Sequence, residues 1–145
     1  MKKIYSISYE LYKKEFLNIS EKIDKDLLFK VDLIEKDSKL NTYYCIPAAA
    51  VCVVTLINFN TIELKSLIST GGGAGTTILN YITKKYSSRY KIILDSFSSN
   101  NKFYVKNGFK PYKEEAYNPA LDPGGLNKNK EAVIYYKYSG GGVNE

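Results

Sequence analysis

The sequence predicts a mixed α/β domain, of the α+β kind, on three observations. Apolar residues recur at helical spacing near the start, three short β-rich runs follow closely upon one another, and the second half alternates strand and helix patterns. The chain has 145 residues, of which 44% are hydrophobic and 25% charged. That length and composition suit one domain with its own core.

The first half contains one helical region and three strands. Residues 2–7 alternate weakly and predict a short first strand. Between Tyr9 and Ile34 the helical spacing predicts one broken helix or two short ones, on the apolar residues Leu11, Phe16, Ile19, Ile23, Leu27, Val31 and Ile34. Next come β-rich runs over 43–46, 48–57 and 61–68, with a turn at 58–60. Their short connections predict an antiparallel meander.

The second half alternates strands and helices. A glycine-rich turn at 71–75 leads into a helix, whose apolar face holds Ile78, Leu79, Ile82 and Tyr86. A strand over 90–95, a short helix over 99–107 and a strand over 109–112 follow, and Gly108 ends the helix. A loop over 113–130 and a last strand over 131–138 complete one domain, 1–138. The glycine-rich tail, 139–145, is expected to be flexible.

Several classes of protein are excluded by composition. The chain has no histidine and only two cysteines, Cys45 and Cys52, so we expect no metal site and no Cys/His nucleophile pair. Its longest apolar run, 46–54, is far shorter than the roughly 20 residues of a membrane span. Lys2 and Lys3 precede no apolar signal region. We therefore expect a cytoplasmic protein without a membrane partner.

Positive charge is concentrated in one part of the chain. The formal net charge is +6, but residues 84–113 alone hold eight basic residues against the single acid Asp95. A local positive field of this kind suits a phosphorylated partner, although a solvated surface explains it equally well.

The glycine-rich turn between a strand and a helix has the composition of a phosphate-binding loop. Glycine allows the backbone to approach an anion closely, and the N–H groups at the start of a helix point toward it. The turn lacks the lysine of a P-loop, and Thr76 follows where a dinucleotide motif has its third glycine. A flexible surface turn is the alternative.

Two segments resemble the motifs of the GNAT superfamily of N-acetyltransferases. The first, Gly73-Ala74-Gly75-Thr76-Thr77-Ile78-Leu79, resembles the G-x-G-x-x-L-L core of its motif A. The second, Phe103-Tyr104-Val105-Lys106-Asn107-Gly108-Phe109, resembles its F-Y-x-K-x-G-F signature. Thr70 stands where the family has Gln or Arg, and Phe97 replaces the usual Asn. Both segments lie in the expected order, and the match covers about residues 48–112.

This resemblance implies a fold and a co-substrate. The fold would be a central, mixed, V-splayed β-sheet flanked by helices, with acetyl-CoA entering the V. The resemblance places the acetyl-CoA site on the end of the preceding strand, the loop and the helix start, namely Leu67, Ile68, Ser69, Thr70, Gly71, Gly72, Gly73, Ala74, Gly75, Thr76 and Thr77. It would also let the basic cluster 84–113 meet the 3′-phosphate of CoA.

The resemblance also suggests catalytic residues. Tyr104 matches the tyrosine that commonly protonates the departing CoA sulfur, with aromatic packing as the alternative. Glu63, seven residues before Thr70, matches the position of a base glutamate in some relatives. The strand pattern puts Glu63 and Lys65 on one face and Ile62, Leu64 and Ile68 on the other, so pairing with Lys65 or a water-chain base are alternatives. A backbone N–H near Leu67 or Ile68 would stabilise the oxyanion.

The function predicted on this basis is direct transfer of an acetyl group to an amine in a ternary complex. A small-molecule amine, a protein amino group and an aminoacyl-tRNA all remain open as acceptors, with Tyr112, Tyr117 and Asp122 as candidate lining residues. A homodimer is also open. The alternatives are an inactive GNAT-like domain that binds CoA or a partner, and a basic RNA-binding domain.

Overall fold

Three α-helices, two short 3₁₀ helices and seven strands lie in the part of the chain that the computed structural model describes, residues 3–23 and 31–140. The α-helices are α1 (Tyr9–Ser20), α2 (Ala74–Tyr86) and α3 (Asn101–Lys106). The strands are β1 (Tyr5–Ile7), β2 (Asn41–Ile46), β3 (Ala50–Asn58), β4 (Thr61–Ser69), β5 (Lys91–Phe97), β6 (Phe109–Glu115) and β7 (Val133–Tyr138). The α/β class is therefore confirmed. Two compact units, Met1–Ile92 and Ile93–Glu145, divide the chain within β5.

The first unit is built on an antiparallel meander in the order β1-β2-β3-β4, as predicted. On one face, Tyr12, Phe16 and Ile19 of α1 form a core cluster with residues of β2 and β3. On the other face, Tyr44 of β2 packs edge-on against Tyr81 of α2. Each face of the meander is thus covered by one helix, because the alternating side chains of its strands are apolar on both sides.

The N-terminal helical prediction is only partly correct. Helix α1 ends at Ser20, and its buried stripe includes Tyr12, whereas Leu11 is exposed. Residues 31–38 form no helix, although Val31 and Ile34 pack against the core. The backbone of Ile34 is bonded instead by tyrosine hydroxyls, since its N–H donates to Tyr12 and its carbonyl accepts from Tyr9. Leu27 of the predicted helix lies outside the described residues.

A β-bulge interrupts β4 and overturns one predicted face. Val53 pairs with Lys65 but Val51 pairs with Ile68, so β4 has one residue more than β3 in this interval. Ser66 absorbs the extra residue with a left-handed φ of 57°. The alternation shifts by one, and Ile68 therefore joins the α1 core instead of the face of Ile62 and Leu64.

The second unit is a three-stranded antiparallel arrangement in the order β5-β7-β6. Gly108 ends α3 with a φ of 93°, as expected of a glycine after a helix. Two boundaries differ from the prediction. Strand β6 continues through Lys113 to Glu115, and β7 begins only at Val133. The predicted loop is therefore shifted to residues 116–132.

The two cysteines lie buried on neighbouring strands of the first unit. Cys45 pairs with Val51 and shares its face, so Cys52, the next residue of β3, points to the opposite face. In the described parts of the chain no helix is long and apolar enough to span a membrane, and no group of acidic or cysteine side chains could hold a metal ion.

Three predictions about the whole chain stay predictions. These are the V-shaped splay of the sheet, the single domain over 1–138 and the flexibility of the tail. Of the tail, residues 141–145 lie outside the described residues.

Candidate functional site

The predicted phosphate loop lies between β4 and α2 in the first unit. Leu67, Ile68 and Ser69 end β4, and Thr70 donates its backbone N–H to the carbonyl of Ala49 at 2.9 Å. The three glycines that follow, Gly71, Gly72 and Gly73, are exposed, and α2 begins at Ala74 with Gly75, Thr76 and Thr77 in its first turn. The residues predicted to bind acetyl-CoA therefore form one continuous segment, exposed from Thr70 to Gly73 and buried at Ile68, Ala74 and Gly75.

The glycines of this loop are required by its backbone conformation. Gly71, Gly72 and Gly73 have φ values of 97°, 64° and 84°, a left-handed region that costs other residues about 1–2 kcal/mol each. A Cβ on any of the three would meet no atom within 4 Å. The loop is therefore conformationally specific and sterically open, so its backbone is accessible to a large ligand.

The loop presents unused hydrogen-bond donors. Ala74 donates its N–H to the carbonyl of Gly71, and Thr77 donates to Gly73. In the chain as described here, the N–H groups of Gly75 and Thr76 find no acceptor. The hydroxyl of Thr77 is already bonded to the carbonyl of Gly73, so the donors that remain are these two backbone N–H groups and the hydroxyl of Thr76. Such donors at a helix start suit an anion such as a pyrophosphate.

The bulge of β4 lies just before the loop. It falls at Ser66 and Leu67, where the predicted oxyanion donors Leu67 and Ile68 begin. The hydroxyl oxygens of Ser66 and of the fully buried Tyr12 lie 2.6 Å apart. Burial raises the pKa of Tyr12, so this hydroxyl stays protonated and able to donate. The hydrogen bond to Tyr12 therefore holds the bulge in place, and at the bulge the backbone of β4 is not regularly paired with β3.

Glu63 lies on β4 at the α1 face. Its side chain is half-buried, and its Oε1 is 3.8 Å from the Nζ of Lys65, a loose surface ion pair. Leu67 is the fourth residue after Glu63 on β4, which corresponds to roughly 13 Å of extended chain. The side chain of a glutamate extends only about 5 Å from its Cα atom, so Glu63 needs an intervening water to act on a group held at the bulge. The pairing with Lys65 and the water chain were both among the predicted alternatives.

A polar row crosses the sheet beside Glu63. Thr55 of β3 pairs with Glu63, and Asn41 of β2 pairs with Thr55. The Thr55 hydroxyl donates to Asn41 Oδ1 at 2.8 Å, and Asn41 Nδ2 donates to the Tyr43 hydroxyl at 3.2 Å. We did not identify Asn41, Thr55 or Tyr12 from the sequence. The available signal was Thr55, a polar residue at the inward position after Val51 and Val53.

Tyr104 belongs to the second unit and lies on α3. It is 7% exposed, and its ring packs against Phe103, Phe109 and Tyr136 with centroids 5.0, 5.9 and 5.4 Å away. The ring therefore has the core-packing role that we gave as the alternative. Its phenolic oxygen is the only atom through which a catalytic role could act.

Glu131, missed in the sequence, holds the start of the helical segment that carries Tyr104. Its Oε1 accepts the backbone N–H of Ser99 at 2.7 Å, at the 3₁₀ turn Ser98–Asn100 that precedes α3. Asn127 in turn exchanges two hydrogen bonds with the backbone of Glu131, each 3.0 Å. A buried carboxylate at a helical N-terminus is stabilised by the free N–H groups there. Glu131 is thus a positioning residue for α3.

The candidate acceptor residues of the second unit divide into two groups. Tyr117 donates its hydroxyl to Asp122 Oδ2 at 3.0 Å, and Asp122 also accepts the N–H groups of Leu126 and Asn127. The Asn127 bond chiefly lowers the pKa of Asp122, which therefore shapes the loop as a carboxylate. Tyr112 lies apart from this pair, on a depression of about 410 Å³ lined by Asn101, Pro111, Tyr112, Lys113, Glu114 and Ile134.

The two lysines of the basic cluster that lie on α2 are far from the glycine loop. Lys84 and Lys85 lie in the last turn of α2, and eleven residues separate Ala74 from Lys85, a rise of about 16 Å. The 3′-phosphate of CoA is one ribose away from its pyrophosphate. If the pyrophosphate sits on the loop, Lys84 and Lys85 lie too far away for the predicted contact.

Comparison with known proteins gives a clear result for structure and none for sequence. No family model matches the sequence, and no curated protein matches it. The fold matches that of an N-acetyltransferase from Staphylococcus aureus, with a TM-score of 0.67 and 12% identity over 96% of this chain and 97% of that one. It also matches a GNAT family acetyltransferase from Elizabethkingia anophelis with acetyl-CoA bound, with a TM-score of 0.59 and 12% identity over 94% and 97% of the two chains.

The chain has the GNAT fold. A third match within this fold is the spermidine N-acetyltransferase of Vibrio cholerae, with a TM-score of 0.63 and 11% identity over 94% of both chains. At such identities the likeness concerns the fold alone. The resemblance that the two GNAT motifs predicted is therefore confirmed as a GNAT fold, while activity and acceptor are matters for a proposal.

Proposed function

We propose that the protein is an acetyl-CoA-dependent N-acetyltransferase. The observation that carries this proposal is the bulged strand, left-handed glycine loop and helix start of the first unit, found in a chain with the GNAT fold. The glycine loop and the helix start supply backbone N–H donors for a pyrophosphate. The bulge of β4, just before the loop in sequence, supplies a backbone N–H for the carbonyl oxygen of the thioester.

The hydrogen-bond donors of the glycine loop suit the pyrophosphate of acetyl-CoA. Its pyrophosphate would be held by the N–H groups of Gly75 and Thr76, with the exposed glycines leaving room for the phosphate oxygens. Thr70 brings no charge, so the interaction depends on backbone groups, whose positions are set by the fold. Acetyl-CoA would supply an acetyl thioester, whose carbonyl carbon is activated for attack by an amine.

Our proposal gives each remaining step to a residue of this chain. The reacting nitrogen is the neutral amine, after loss of its ammonium proton to solvent. A backbone N–H near Leu67 or Ile68 stabilises the oxyanion as this nitrogen bonds to the carbonyl carbon. Glu63, through water, takes the proton that the amine loses. Tyr104 donates a proton to the sulfur as the carbon–sulfur bond breaks, and is later reprotonated by solvent. Charge and protons balance, since one proton is taken and one is given.

For the acceptor we propose a small-molecule amine. The matching Vibrio cholerae protein is by name a spermidine N-acetyltransferase. The polar row of Asn41, Thr55 and Glu63 offers this chain's own side chains for a polar, cationic amine, since Glu63 is the single acid between residues 41 and 94.

The first test is calorimetric titration of the purified chain with acetyl-CoA, with ATP and NAD as controls. We expect selective binding of acetyl-CoA. An absence of binding by a chain shown to be folded by circular dichroism would refute the proposal.

The second test is thiol release from acetyl-CoA in the presence of a panel of amines that includes spermidine. We expect turnover with a small amine, slowed in Tyr104→Phe and unchanged in Tyr138→Phe, which keeps a ring in the same aromatic cluster. Binding without turnover for any amine would favour the inactive GNAT-like domain.

A further inference from the structure

The end of the first unit that lies away from the glycine loop carries a second surface. The turn between β3 and β4 and the connection between α2 and β5 meet there, since the N–H of Lys91 donates to the carbonyl of Asn60 at 2.8 Å. Strand β4 separates this end from the loop by nine residues, about 30 Å of extended chain. The surface is therefore distinct from the proposed acetyl-CoA site.

This surface is strongly positive. Lys84, Lys85, Arg89 and Lys91 are all exposed, and no acidic residue occurs in the segments 57–62 and 81–92 that form it. Lys84 and Lys85 also complement the negative end of the α2 dipole. That explanation does not extend to Arg89 and Lys91, which lie beyond the helix.

Aromatic rings accompany these cations. Phe59 is 90% exposed at the tip of the β3–β4 turn, beside Asn60. Tyr81 is partly exposed, with the Nζ of Lys85 6.0 Å from its ring. Tyr86 packs between Tyr44 and Tyr90 beneath the surface. We call the exposed set the basic–aromatic patch: Phe59, Tyr81, Lys84, Lys85, Arg89 and Lys91.

We propose that the basic–aromatic patch binds single-stranded nucleic acid. Four exposed cations in segments that contain no acid suit the phosphates of a flexible strand, and exposed rings suit stacking of its unpaired bases. Phe59 is 90% exposed close to these cations, so its ring is free to stack on a base while the cations bind the adjacent phosphates. This inference does not depend on acetyl-CoA binding.

A membrane surface is the less suitable partner. Phe59 is the only large apolar side chain of the patch that is nearly fully exposed, and stable membrane attachment requires more buried apolar area or a second anchor. Ile57, at 46% exposure, adds only a second and smaller apolar group. The amide groups of Asn58, which is exposed, and of Asn60, which is partly exposed, suit hydrogen bonds to bases or sugars.

The test measures binding of fluorescent 12-nucleotide single strands, RNA and DNA of one sequence, by anisotropy. We expect a dissociation constant on the order of 10 µM near 0.1 M salt, and a slope of log affinity against log salt of about −2.8 if all four cations meet phosphates. Replacement of the four cations by alanine should weaken binding at least tenfold and flatten the slope. Phe59→Ser should weaken it about tenfold and leave the slope unchanged.

A matched control removes four exposed or surface lysines from elsewhere in the first unit, Lys3, Lys13, Lys14 and Lys22, with the same change in net charge. This variant should keep the slope and most of the affinity. The proposal fails if no strand binds, if the control loses as much affinity as the patch variant, or if anionic phosphatidylserine vesicles bind more tightly than either oligonucleotide. Because the replaced cations are exposed, we expect each variant to fold, and circular dichroism checks this. Preference for RNA or for DNA identifies the sugar that is recognised.

Discussion

Two surfaces of the first unit, the glycine loop and the basic–aromatic patch at the opposite end, both suit an anion but through different chemistry. At the loop end, the donors are backbone N–H groups fixed by three left-handed glycines, without a charged side chain. At the other end, the donors are four flexible cations beside an exposed ring. Fixed dipoles select the shape and position of one anion, whereas mobile charges attract any polyanion and are screened by salt. A positive net charge by itself therefore does not indicate which end binds which ligand.

The largest effect on the rate of acetyl transfer is expected from Glu63, in the middle of β4. Its variant tests whether the proposed active site at the glycine loop includes this carboxylate. Glu63→Gln should lower the rate of acetyl transfer by about 100-fold, because the carboxylate is replaced by a group that cannot take a proton. Lys65→Gln is the matched control, since it breaks the same surface ion pair and should change the rate little. Steady-state kinetics measure both. Equal rates for the wild type and Glu63→Gln would assign proton removal to solvent alone.

The next effect separates conformation from charge. The double variant Gly71→Ala, Gly73→Ala places Cβ atoms where φ is 97° and 84°, at a strain of about 1–2 kcal/mol each. We expect acetyl-CoA affinity to fall about 30-fold or more by calorimetry, with no change in oligonucleotide affinity. Gly124→Ala, at an exposed glycine without a left-handed φ, should bind acetyl-CoA as the wild type does. A double variant with normal affinity would show that the loop geometry is unimportant.

Salt distinguishes the two ends in the unmodified chain. Between about 0.05 and 0.15 M salt, oligonucleotide affinity should fall about 20-fold, as four phosphate contacts release their counterions. Acetyl-CoA affinity should change only a few-fold, because its contacts are backbone dipoles. Parallel anisotropy and calorimetry titrations measure the two responses. Equal salt slopes would contradict the distinction between the two ends.

The smallest effect concerns the tyrosine pair beneath the patch. Burial and the hydrogen bond to Tyr86 raise the pKa of Tyr44 above its ordinary 10.0. The unfolded chain then loses this proton at lower pH than the folded one, so stability falls as pH rises above about 10. We expect the midpoint of thermal unfolding to drop less between about pH 9 and pH 11 in Tyr44→Phe than in the wild type. The control Tyr112→Phe, at an exposed ring, should follow the wild type.

The sequence was sufficient for the features that repeat along the chain. The meander, the helix after the glycine loop and the helix that Gly108 ends all have regular apolar spacing or a glycine with a defined role. The two GNAT motifs, about 25 residues apart, were enough to predict the fold. Their success rests on local backbone requirements, which sequence expresses directly.

What the sequence did not predict depends on partners far along the chain. The bulge at Ser66 is marked in the sequence only by one polar residue at an apolar position of β4, so Ile68 was assigned to the wrong face. The apolar residues around Ile34 have helical spacing, yet hydroxyls of Tyr9 and Tyr12 satisfy the backbone there. Glu131 was read as a strand residue, although its carboxylate reaches Ser99, 32 positions earlier. Tertiary hydrogen bonds of this kind override local propensity.

The two buried thiols can report local unfolding of the first unit, because each becomes reactive only when it is exposed to solvent. Burial raises the pKa of Cys45 to about 11 and that of Cys52 further, so neither forms a reactive thiolate at neutral pH while the sheet is closed. They face opposite sides of the meander, one under α1 and one on the side covered by α2. Modification of each thiol would therefore time the detachment of a different helix, and the wild-type chain can be followed in this way without an added label.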